Sequence, residues 1–496
     1  MTKIRATYSG LIGLATGLIT VFTGLIFILI VTRSLTPEEL GTWGLIGGLV
    51  TYVIILEPMI SYWSTREIAR GTESAKTAVF SSTIFSFVGI LAFLLIAFLV
   101  SEPTDTSTDI LFFAAIMIPF SFLNRTLSAI SIGWKPQMNS YGLLIFDISK
   151  ISAAIIFVYY MELGVYGAIL SLVIAHIPSI IFLAIASKSK LKNSFNKKFL
   201  KNWLKRAWLP SYIKSTNIVV LDILVFSLIT GSVVGLAYWV AATTIGTAVR
   251  HSGQITRAVY PALLSGGPRE HLQENLMKLF LFLFPFMALS LAFAKPALFI
   301  INPIYDVAAT VVVFITIRTV LKIIGSALSS SLQGIASVDT KESGYKEYLK
   351  SDLFYLPTLR LIRKGVYLGS LAIGLLILVQ TDTPLMDMLV FWSVIATLTQ
   401  IPFTLYFYYL VRKQFPLSLD IVTIMKYLVI SIVVFGGVYL LMDEYLEYEI
   451  EVLKFIPNLI PYLILGISVY FGLTYLTDKA TRQLFNSIIL EIKRKK

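Results

Sequence analysis

Charged side chains stand inside apolar segments long enough to cross a membrane, and these are the residues that could carry chemistry. The cations are Lys150, Arg250, Arg318, Lys322, Arg125, Lys214 and Arg257. The acids are Glu57, Asp147 and Asp222, with Asn217 as a further oxygen donor to a cation. A cation facing lipid at the bilayer centre costs on the order of 2.5–3.5 kcal/mol. We therefore expect these groups to face one another or a hydrated cavity.

The spacing of these residues predicts which of them neutralise each other. Asp147 and Lys150 are three residues apart on one helix, a spacing that predicts an ion pair. Arg318 and Lys322 are four apart, where like charges share a helix face and repel. Asp222 is expected to pair with a neighbouring cation.

The balance of charge inside the segments points to an anionic ligand. Seven cations against three acids leaves a surplus of positive charge, most simply balanced by a substrate with more than one negative charge, such as a phosphate or pyrophosphate. The alternative is that Arg125, Lys214 and Arg257 extend to the inner headgroups. Like Arg318 and Lys322, Arg250 and Arg257 share a helix face, because they are seven residues apart.

The acids and one amide are candidates for coupling transport to a cation or a proton. Glu57 precedes Pro58, and proline within a span bends the helix and frees backbone groups. The candidates for this coupling are Glu57, Asp147, Asn217 and Asp222.

Composition shows what kind of chain positions these residues. Of 496 residues, 56% are hydrophobic and 14% charged, and the mean hydropathy is +0.81. This composition excludes a soluble enzyme. The chain has no cysteine and only three scattered histidines, and it contains no G-x-x-x-x-G-K-[ST] motif, so we predict no metal site, no cofactor and no nucleotide-hydrolysing motor.

The apolar segments predict an all-α polytopic membrane protein with about 14 transmembrane helices. They fall at 8–32, 41–63, 77–101, 109–131, 139–160, 163–186, 207–230, 233–262, 276–300, 307–334, 365–380, 387–411, 421–442 and 455–477.

Orientation follows from the placement of lysine and arginine between these spans. The net charge of +13 is concentrated in alternate loops and in the C-terminal tail. Under the positive-inside rule this pattern puts the N- and C-termini in the cytoplasm. We expect a multi-pass protein in the plasma membrane of a prokaryote. Because the basic runs lie between spans, no nucleic-acid partner is expected.

Two segments on the predicted cytoplasmic side stand out. In 188–206, Leu191, Phe195, Phe199 and Trp203 recur every four residues among lysines, which predicts one amphipathic helix on the membrane surface. The segment 335–364 is the longest predicted loop, and its Tyr345, Leu349 and Leu353 suggest a second surface helix before a short span at 365–380.

Short landmarks recur in the same order in both halves of the chain. Gly41-Thr42-Trp43 corresponds to Gly235-Leu236-Ala237-Tyr238, and LSAISIG at 127–133 corresponds to LSSSLQG at 328–334. These matches predict two pseudo-symmetric six-helix lobes, 1–206 with a basic amphipathic linker at 188–206, and 207–414. Spans 13 and 14 and a basic tail follow at 415–496. Repeated six-helix lobes are a transporter architecture with the substrate site between the halves.

Four motifs carry a resemblance to a known family. They are RSLTPEELGTWGLIGGL, STREIARG, LDILVFSLITGSVVGLAYWVAATTIG and NPIYDVAATVVV. Over roughly residues 5–410 the chain resembles the polysaccharide transporter family, the lipid-linked oligosaccharide flippases of the superfamily that also holds the multidrug MATE exporters. The resemblance implies a MATE-like fold with a cationic cavity and no covalent chemistry. It also implies alternating access that moves a polyprenyl-(pyro)phosphate-linked glycan to the outer leaflet.

The expected partners are this lipid-linked glycan, membrane lipids and polysaccharide-assembly glycosyltransferases or a polymerase. Two other functions stay open. A MATE-type drug or cation antiporter would be expected to present acidic charge to its substrate. A polytopic glycosyltransferase or polymerase would need acid and base residues on outer loops, and here those loops are about ten residues or shorter.

Overall fold

The described part of the chain is built from α-helices. The computed structural model describes residues 6–69, 71–192, 194–205, 207, 212, 221–250, 252–253, 270–335, 349–414 and 419–494. The chain divides into two compact units, one containing residues 1–238 and 374–381 and the other residues 239–373 and 382–496.

The first unit contains the helices of the N-terminal half. They are α1 (Ala6–Ser34), α2 (Pro37–Ile54), α3 (Pro58–Ala69), α4 (Ala75–Ser101), α5 (Thr108–Ala114), α6 (Met117–Trp134), α7 (Pro136–Ala154, continued by a π-helical turn at Ile155–Tyr160), α8 (Gly164–Ala186), α9 (Lys188–Leu191), α10 (Lys197–Lys205) and α11 (Leu221–Thr230). The helix α12 (Val234–Gly246) contains the boundary between the units.

The second unit contains the remaining helices. They are α13 (Glu270–Ala292), α14 (Ala294–Ile301), α15 (Ala309–Ile335, preceded by a 3-10 turn at Pro303–Ala308), α16 (Asp352–Gln380, whose last residues count with the first unit), α17 (Leu385–Leu398), α18 (Gln400–Gln414), α19 (Ile421–Tyr445), α20 (Val452–Thr477) and α21 (Lys479–Arg494).

Local sequence explains how α2 begins and how closely it is packed. Thr36 caps the helix: its side chain accepts the backbone N–H of Glu39, whose carboxylate accepts the N–H of Thr36 in return, and Pro37 fits the first turn. One turn on, Gly41 has to be glycine, because a Cβ would lie 1.9 Å from the carbonyl oxygen of Val233. The first unit further packs α7 against α1 and α8, and α6 against α3, α4 and α8.

The described helices include enough long apolar ones for a multi-pass membrane protein. Nine helices are long and apolar enough to cross a bilayer, and eleven if each of two bent pairs is one span. The all-α polytopic fold class is thereby confirmed for the described residues. The predicted number of 14 stays a prediction, since the predicted spans 207–230 and 233–262 extend into residues outside the described ranges.

Two predicted spans are broken helices. The predicted span 41–63 is α2 and α3, which meet at an angle of 57° on either side of Glu57. The predicted span 276–300 is α13 and α14, bent by 65°. Continuous apolar sequence conceals both bends. Pro58 signals the first, since proline cannot donate the backbone hydrogen bond that would continue α2.

The prediction of a long loop at 335–364 before a short span at 365–380 is wrong. The helix α16 starts at Asp352, and its apolar part, Phe354–Gln380, has the length of a full membrane span. Leu353 therefore belongs to this helix and not to a separate surface helix. Tyr345 lies outside the described residues.

The prediction of one amphipathic surface helix at 188–206 is also wrong. The segment contains two short helices, α9, which ends at Leu191, and α10, which begins at Lys197. Trp203 is 1% exposed and donates from Nε1 to Oε1 of Glu67 on α3 at 3.0 Å, and Phe199 packs beside it. The apolar face of α10 thus packs on protein. The predicted lobe boundaries at 206 and 414 stay a prediction.

Candidate substrate-binding site

In the first unit, Lys150 and Asp147 form an ion pair on α7. Lys150 Nζ lies 3.0 Å from Asp147 Oδ1, and the two side chains are 12% and 2% exposed. The ammonium also lies over the rings of Phe27 on α1, at 5.0 Å, and Phe146, at 5.5 Å. The predicted neutralisation of Lys150 by Asp147 agrees with this geometry, so the positive charge of Lys150 is largely cancelled in this state.

Glu57 lies at the break between α2 and α3 and is 2% exposed. Its Oε2 accepts a hydrogen bond from the Ser61 hydroxyl at 3.0 Å, and its Oε1 accepts one from Thr126 on α6 at 3.3 Å. The hydroxyl of Thr126 also lies 2.8 Å from that of Ser82 on α4. This arrangement places a carboxylate among hydroxyl groups at a helix break.

The remaining predicted residues of the first unit lie apart or outside the described ranges. Asp222 is 3% exposed in the first turn of α11, where it accepts the backbone N–H of Ile223. Arg125 is exposed on α6, within electrostatic range of His176 on α8. Residues outside the described ranges are Lys214, Asn217 and Arg257.

In the second unit, cations from several elements converge on Lys322. Lys322 is exposed on α15, and the charges that face it belong to Arg318, Arg363, Arg250 and Lys364. Arg318 stands one turn before Lys322 on α15, Arg363 and Lys364 stand on α16, and Arg250 follows α12. The structure thus brings together three predicted residues, Arg250, Arg318 and Lys322, and adds residues from α16.

Sequence reasoning missed the contribution of α16. The charges of Arg360, Arg363 and Lys364 lower the local hydropathy and resemble a cytoplasmic flank, so the sequence predicts a loop where the structure has α16. One signal was present: Arg360, Lys364 and Tyr367 follow each other at spacings of four and three, which places them on one helix face. We name Arg250, Arg318, Lys322, Arg360, Arg363 and Lys364 the cationic cluster.

Neutral groups hold Arg360 and Arg363 of the cationic cluster in place. The guanidinium of Arg360 donates to the hydroxyl of Ser329, and that of Arg363 donates to the side-chain carbonyl of Gln400 on α18. Gln400 is itself fixed, since its amide donates to Thr404 Oγ1 at 3.0 Å.

An aromatic stack supports Arg318. Its guanidinium carbon lies 5.1 Å from the centre of the Tyr367 ring. Trp392 Nε1 donates to the Tyr367 hydroxyl at 2.6 Å, and Trp392 stacks on Trp239 with ring centres 3.7 Å apart. These aromatic side chains are almost fully buried. Because they come from α12, α16 and α17, they fix the ring on which Arg318 rests.

None of these partners cancels charge. Among the described residues, no carboxylate forms an ion pair with Arg318, Lys322, Arg360 or Arg363; the pairs there are Lys150–Asp147, Lys278–Glu274 and Lys454–Glu451. Guanidinium groups that are fixed in position and keep their charge are well suited to bind phosphate oxygens through two parallel hydrogen bonds.

Comparison with solved structures decides the fold. An inward-facing multidrug resistance MATE family transporter of the MOP superfamily matches with a TM-score of 0.60 and 16% identity, over 81% of this chain and 98% of that one. The lipid II flippase MurJ, in an inward closed conformation, matches with a TM-score of 0.63 and 13% identity, over 95% of this chain and all of the other (100%). The chain has the MATE fold.

The predicted MATE-like fold is thus confirmed for this multi-pass membrane protein. An outward-facing MATE family transporter also matches, with a TM-score of 0.51 and 16% identity over 83% of this chain and 95% of that one. No family model matches the sequence, and no curated protein matches it. The MATE fold is shared by a multidrug transporter and a lipid flippase, so the function has to be argued from side chains.

Proposed function

We propose that this chain is a flippase that moves a polyprenyl-phosphate- or pyrophosphate-linked oligosaccharide from the cytoplasmic to the outer leaflet by alternating access. One observation carries the proposal: Arg318, Arg360 and Arg363 are held by neutral groups and have no carboxylate partner among the described residues. Such a cluster inside membrane-spanning helices is stabilised when an anion with several charges binds to it.

The roles of the residues follow from their chemistry. Arg318, Arg360 and Arg363 donate to phosphate oxygens from fixed positions, and Lys322 supplies a point charge among them. The sugar occupies hydrated space, and the polyprenyl chain stays in lipid. The remaining members of the proposed binding set are the sequence-predicted residues Lys150, Arg250, Arg125, Lys214 and Arg257.

The surroundings of the proposed flippase follow from its substrate. The protein would lie in a prokaryotic plasma membrane with both termini in the cytoplasm, the side on which the basic loops are predicted to lie. Glycosyltransferases that build the glycan and a polymerase that extends it are its proposed partners. The binding set performs no bond-making or bond-breaking step.

A drug or cation antiporter is the second candidate, and the buried carboxylates of the first unit favour it. Glu57 is 2% exposed and Asp222 is 3% exposed, and buried acids within spans can bind organic cations or protons. The flippase is preferred, because the cationic cluster would repel a cationic drug.

The two candidates differ in what purified protein moves in liposomes. The experiment uses fluorescent lipid-linked oligosaccharide in one set of vesicles and a cationic dye in another, without ATP. We expect labelled glycolipid from the inner leaflet to become accessible to a quencher added outside the vesicles. We expect the cationic dye to stay inside the vesicles. Protein-free vesicles give the background rate.

Dye extrusion without glycolipid movement would reject the flippase in favour of the antiporter. Mass spectrometry of the recovered glycolipid tests the remaining alternative. We expect the mass of the glycolipid to be unchanged. If the recovered glycolipid instead carried additional sugars, taken from sugar donors added to the assay, a glycosyltransferase or polymerase would be favoured.

A further inference from the structure

Lys150 is held in the first unit by a single oxygen ligand. Its ammonium has three N–H donors, of which one is used by Asp147 Oδ1 at 3.0 Å. Its other close neighbours are the faces of Phe27 and Phe146, which attract a cation weakly. The ammonium therefore has donors left for an anion, and its side chain is 12% exposed.

Asp147 depends on Lys150 far more than Lys150 depends on Asp147. The carboxylate is 2% exposed, and its second oxygen, Oδ2, is buried without a hydrogen-bond partner in the described part of the chain. If Lys150 turned away, a negative charge would be left buried with no compensation. A carboxyl group in that position neutralises itself by taking up a proton.

The helices packed on α7 offer Asp147 no other titratable acid. Asp147 is the only acidic residue in α1, α6, α7 and α8. Besides Asp147 and Lys150, the charged or titratable side chains on these elements, with the π-helical turn that continues α7, are Arg33, Arg125, His176, Tyr8, Tyr141, Tyr166, Tyr159 and Tyr160. His176 stacks on Phe146 and lies 3.4 Å from Ser121. A proton on Asp147 removes the buried charge that release of Lys150 leaves uncompensated, whereas a proton on His176 would add a charge, so the proton binds to Asp147.

We infer that Lys150 exchanges between Asp147 and the phosphate of the substrate, and that Asp147 takes up one proton when Lys150 leaves it. The inference rests on the proposed function. In the free protein the ion pair is closed. When the phosphate draws the ammonium away, the Asp147 carboxylate gains a proton from solvent. When the proton leaves, Asp147 recaptures Lys150 and weakens the hold on the phosphate. Substrate binding and proton binding thereby favour each other.

The test measures protons taken up on binding of a defined probe, farnesyl pyrophosphate, to purified protein in detergent. Titration calorimetry in two buffers of different ionisation enthalpy gives the number of protons exchanged. The wild type is compared with Asp147→Asn, so that protonation of the probe itself cancels. We expect the wild type to take up about one proton more. As the pH rises, its affinity should fall by up to about tenfold per pH unit relative to the variant.

A second variant and a matched control guard against a merely structural effect. Lys150→Gln should also lose the extra proton, because no ammonium remains to leave Asp147. Asp109→Asn removes an exposed acid from α5 in the same unit and should keep the wild-type proton count.

Equal proton uptake and equal pH dependence in the wild type and Asp147→Asn, with both proteins binding the probe, would overturn this inference and leave the flippase proposal standing. An affinity that responds to replacement of sodium by choline, and not to pH, would also overturn it. If the wild type does not bind the probe at all, the proposed function fails first.

Discussion

Two regions of the molecule hold cations inside membrane-spanning helices by opposite means. In the first unit Lys150 is held by a carboxylate, that of Asp147. In the second unit Arg360 and Arg363 are held by an alcohol and an amide, and Arg318 rests on an aromatic ring. An acidic partner fixes position and cancels charge, whereas a neutral partner fixes position alone. We infer that the second region keeps its positive charge available to a ligand, whereas in the first region the charge of Lys150 is cancelled until the ion pair opens.

The energetic consequence of this difference is large within a membrane. A buried ion pair recovers part of its desolvation cost from its own attraction, so it is stable without a ligand but sensitive to loss of one partner. A cluster of like charges is destabilised by mutual repulsion until an anion binds. Binding of an anionic ligand should therefore stabilise the cationic cluster and open the Lys150–Asp147 ion pair.

The largest expected effect comes from removing charge from the cationic cluster. In the double variant Arg318→Gln, Lys322→Gln, we expect glycolipid transport to fall by more than about 100-fold, because each hydrogen bond from a charged group contributes about 1.5–3 kcal/mol. Transport in liposomes measures it, with Lys278→Gln as the control, since that lysine belongs to a more exposed pair on α13. Undiminished transport by the double variant would remove both residues from the site.

Breaking the Lys150–Asp147 ion pair in the first unit should lower the free energy of unfolding more than it weakens anion binding. Lys150→Met leaves Asp147 buried and unpaired and should cost about 3–5 kcal/mol. The double variant Lys150→Met, Asp147→Leu should recover most of that loss, because both charges are gone. Unfolding free energies in detergent measure the cycle. If the losses of Lys150→Met and of Asp147→Leu, each measured alone, simply added up in the double variant, Lys150 and Asp147 would not be coupled.

The neutral anchoring of Arg363 can be converted into the acidic type by one isosteric change. Gln400→Glu places a carboxylate where Arg363 now donates to an amide oxygen. We expect about tenfold weaker binding of farnesyl pyrophosphate, since one cation of the cluster is then neutralised. Gln380→Glu adds the same charge at an exposed position at the end of α16 and should leave binding unchanged. Equal affinity for both variants would show that Arg363 does not contact the ligand.

Sequence alone could predict the helical fold and the paired region, but only half of the cationic cluster. Asp147 and Lys150 are neighbours on one helix, so their spacing suffices. Arg318 and Lys322 stand out because the rest of their segment is apolar. Arg360 and Arg363 lie at the start of α16, where charges are also typical of a cytoplasmic loop.

The neutral anchors could not be predicted because they depend on contacts between distant segments. Arg360 and Ser329 are 31 residues apart, and Arg363 and Gln400 are 37 apart. Trp239 and Trp392 stack across a still longer separation. Periodicity places a residue on a helix face but does not say which helix packs there.

The smallest expected effect concerns the reverse case, an anion held by neutral donors. Asp478 lies between α20 and α21, outside the apolar spans, and its Oδ2 accepts from the backbone N–H and hydroxyl of Thr481 and from Tyr427. Burial alone would raise its pKa, but these hydrogen bonds and the charge of Lys426 outweigh burial and hold the pKa below 3.8.

A lowered pKa in the folded state means that the contribution of Asp478 is complete above pH 3.8 and is lost as the pH falls through the lowered value. Asp478 caps the N-terminus of α21, so Asp478→Ala should cost about 1 kcal/mol near neutral pH. Hydrogen exchange in α21 measures this cost, which should shrink as the pH falls below 3.8. A cost that stays constant with pH would mean that the cap acts without its charge. The rule drawn from the cationic cluster, that neutral partners fix a charge without cancelling it, would then not extend to anions.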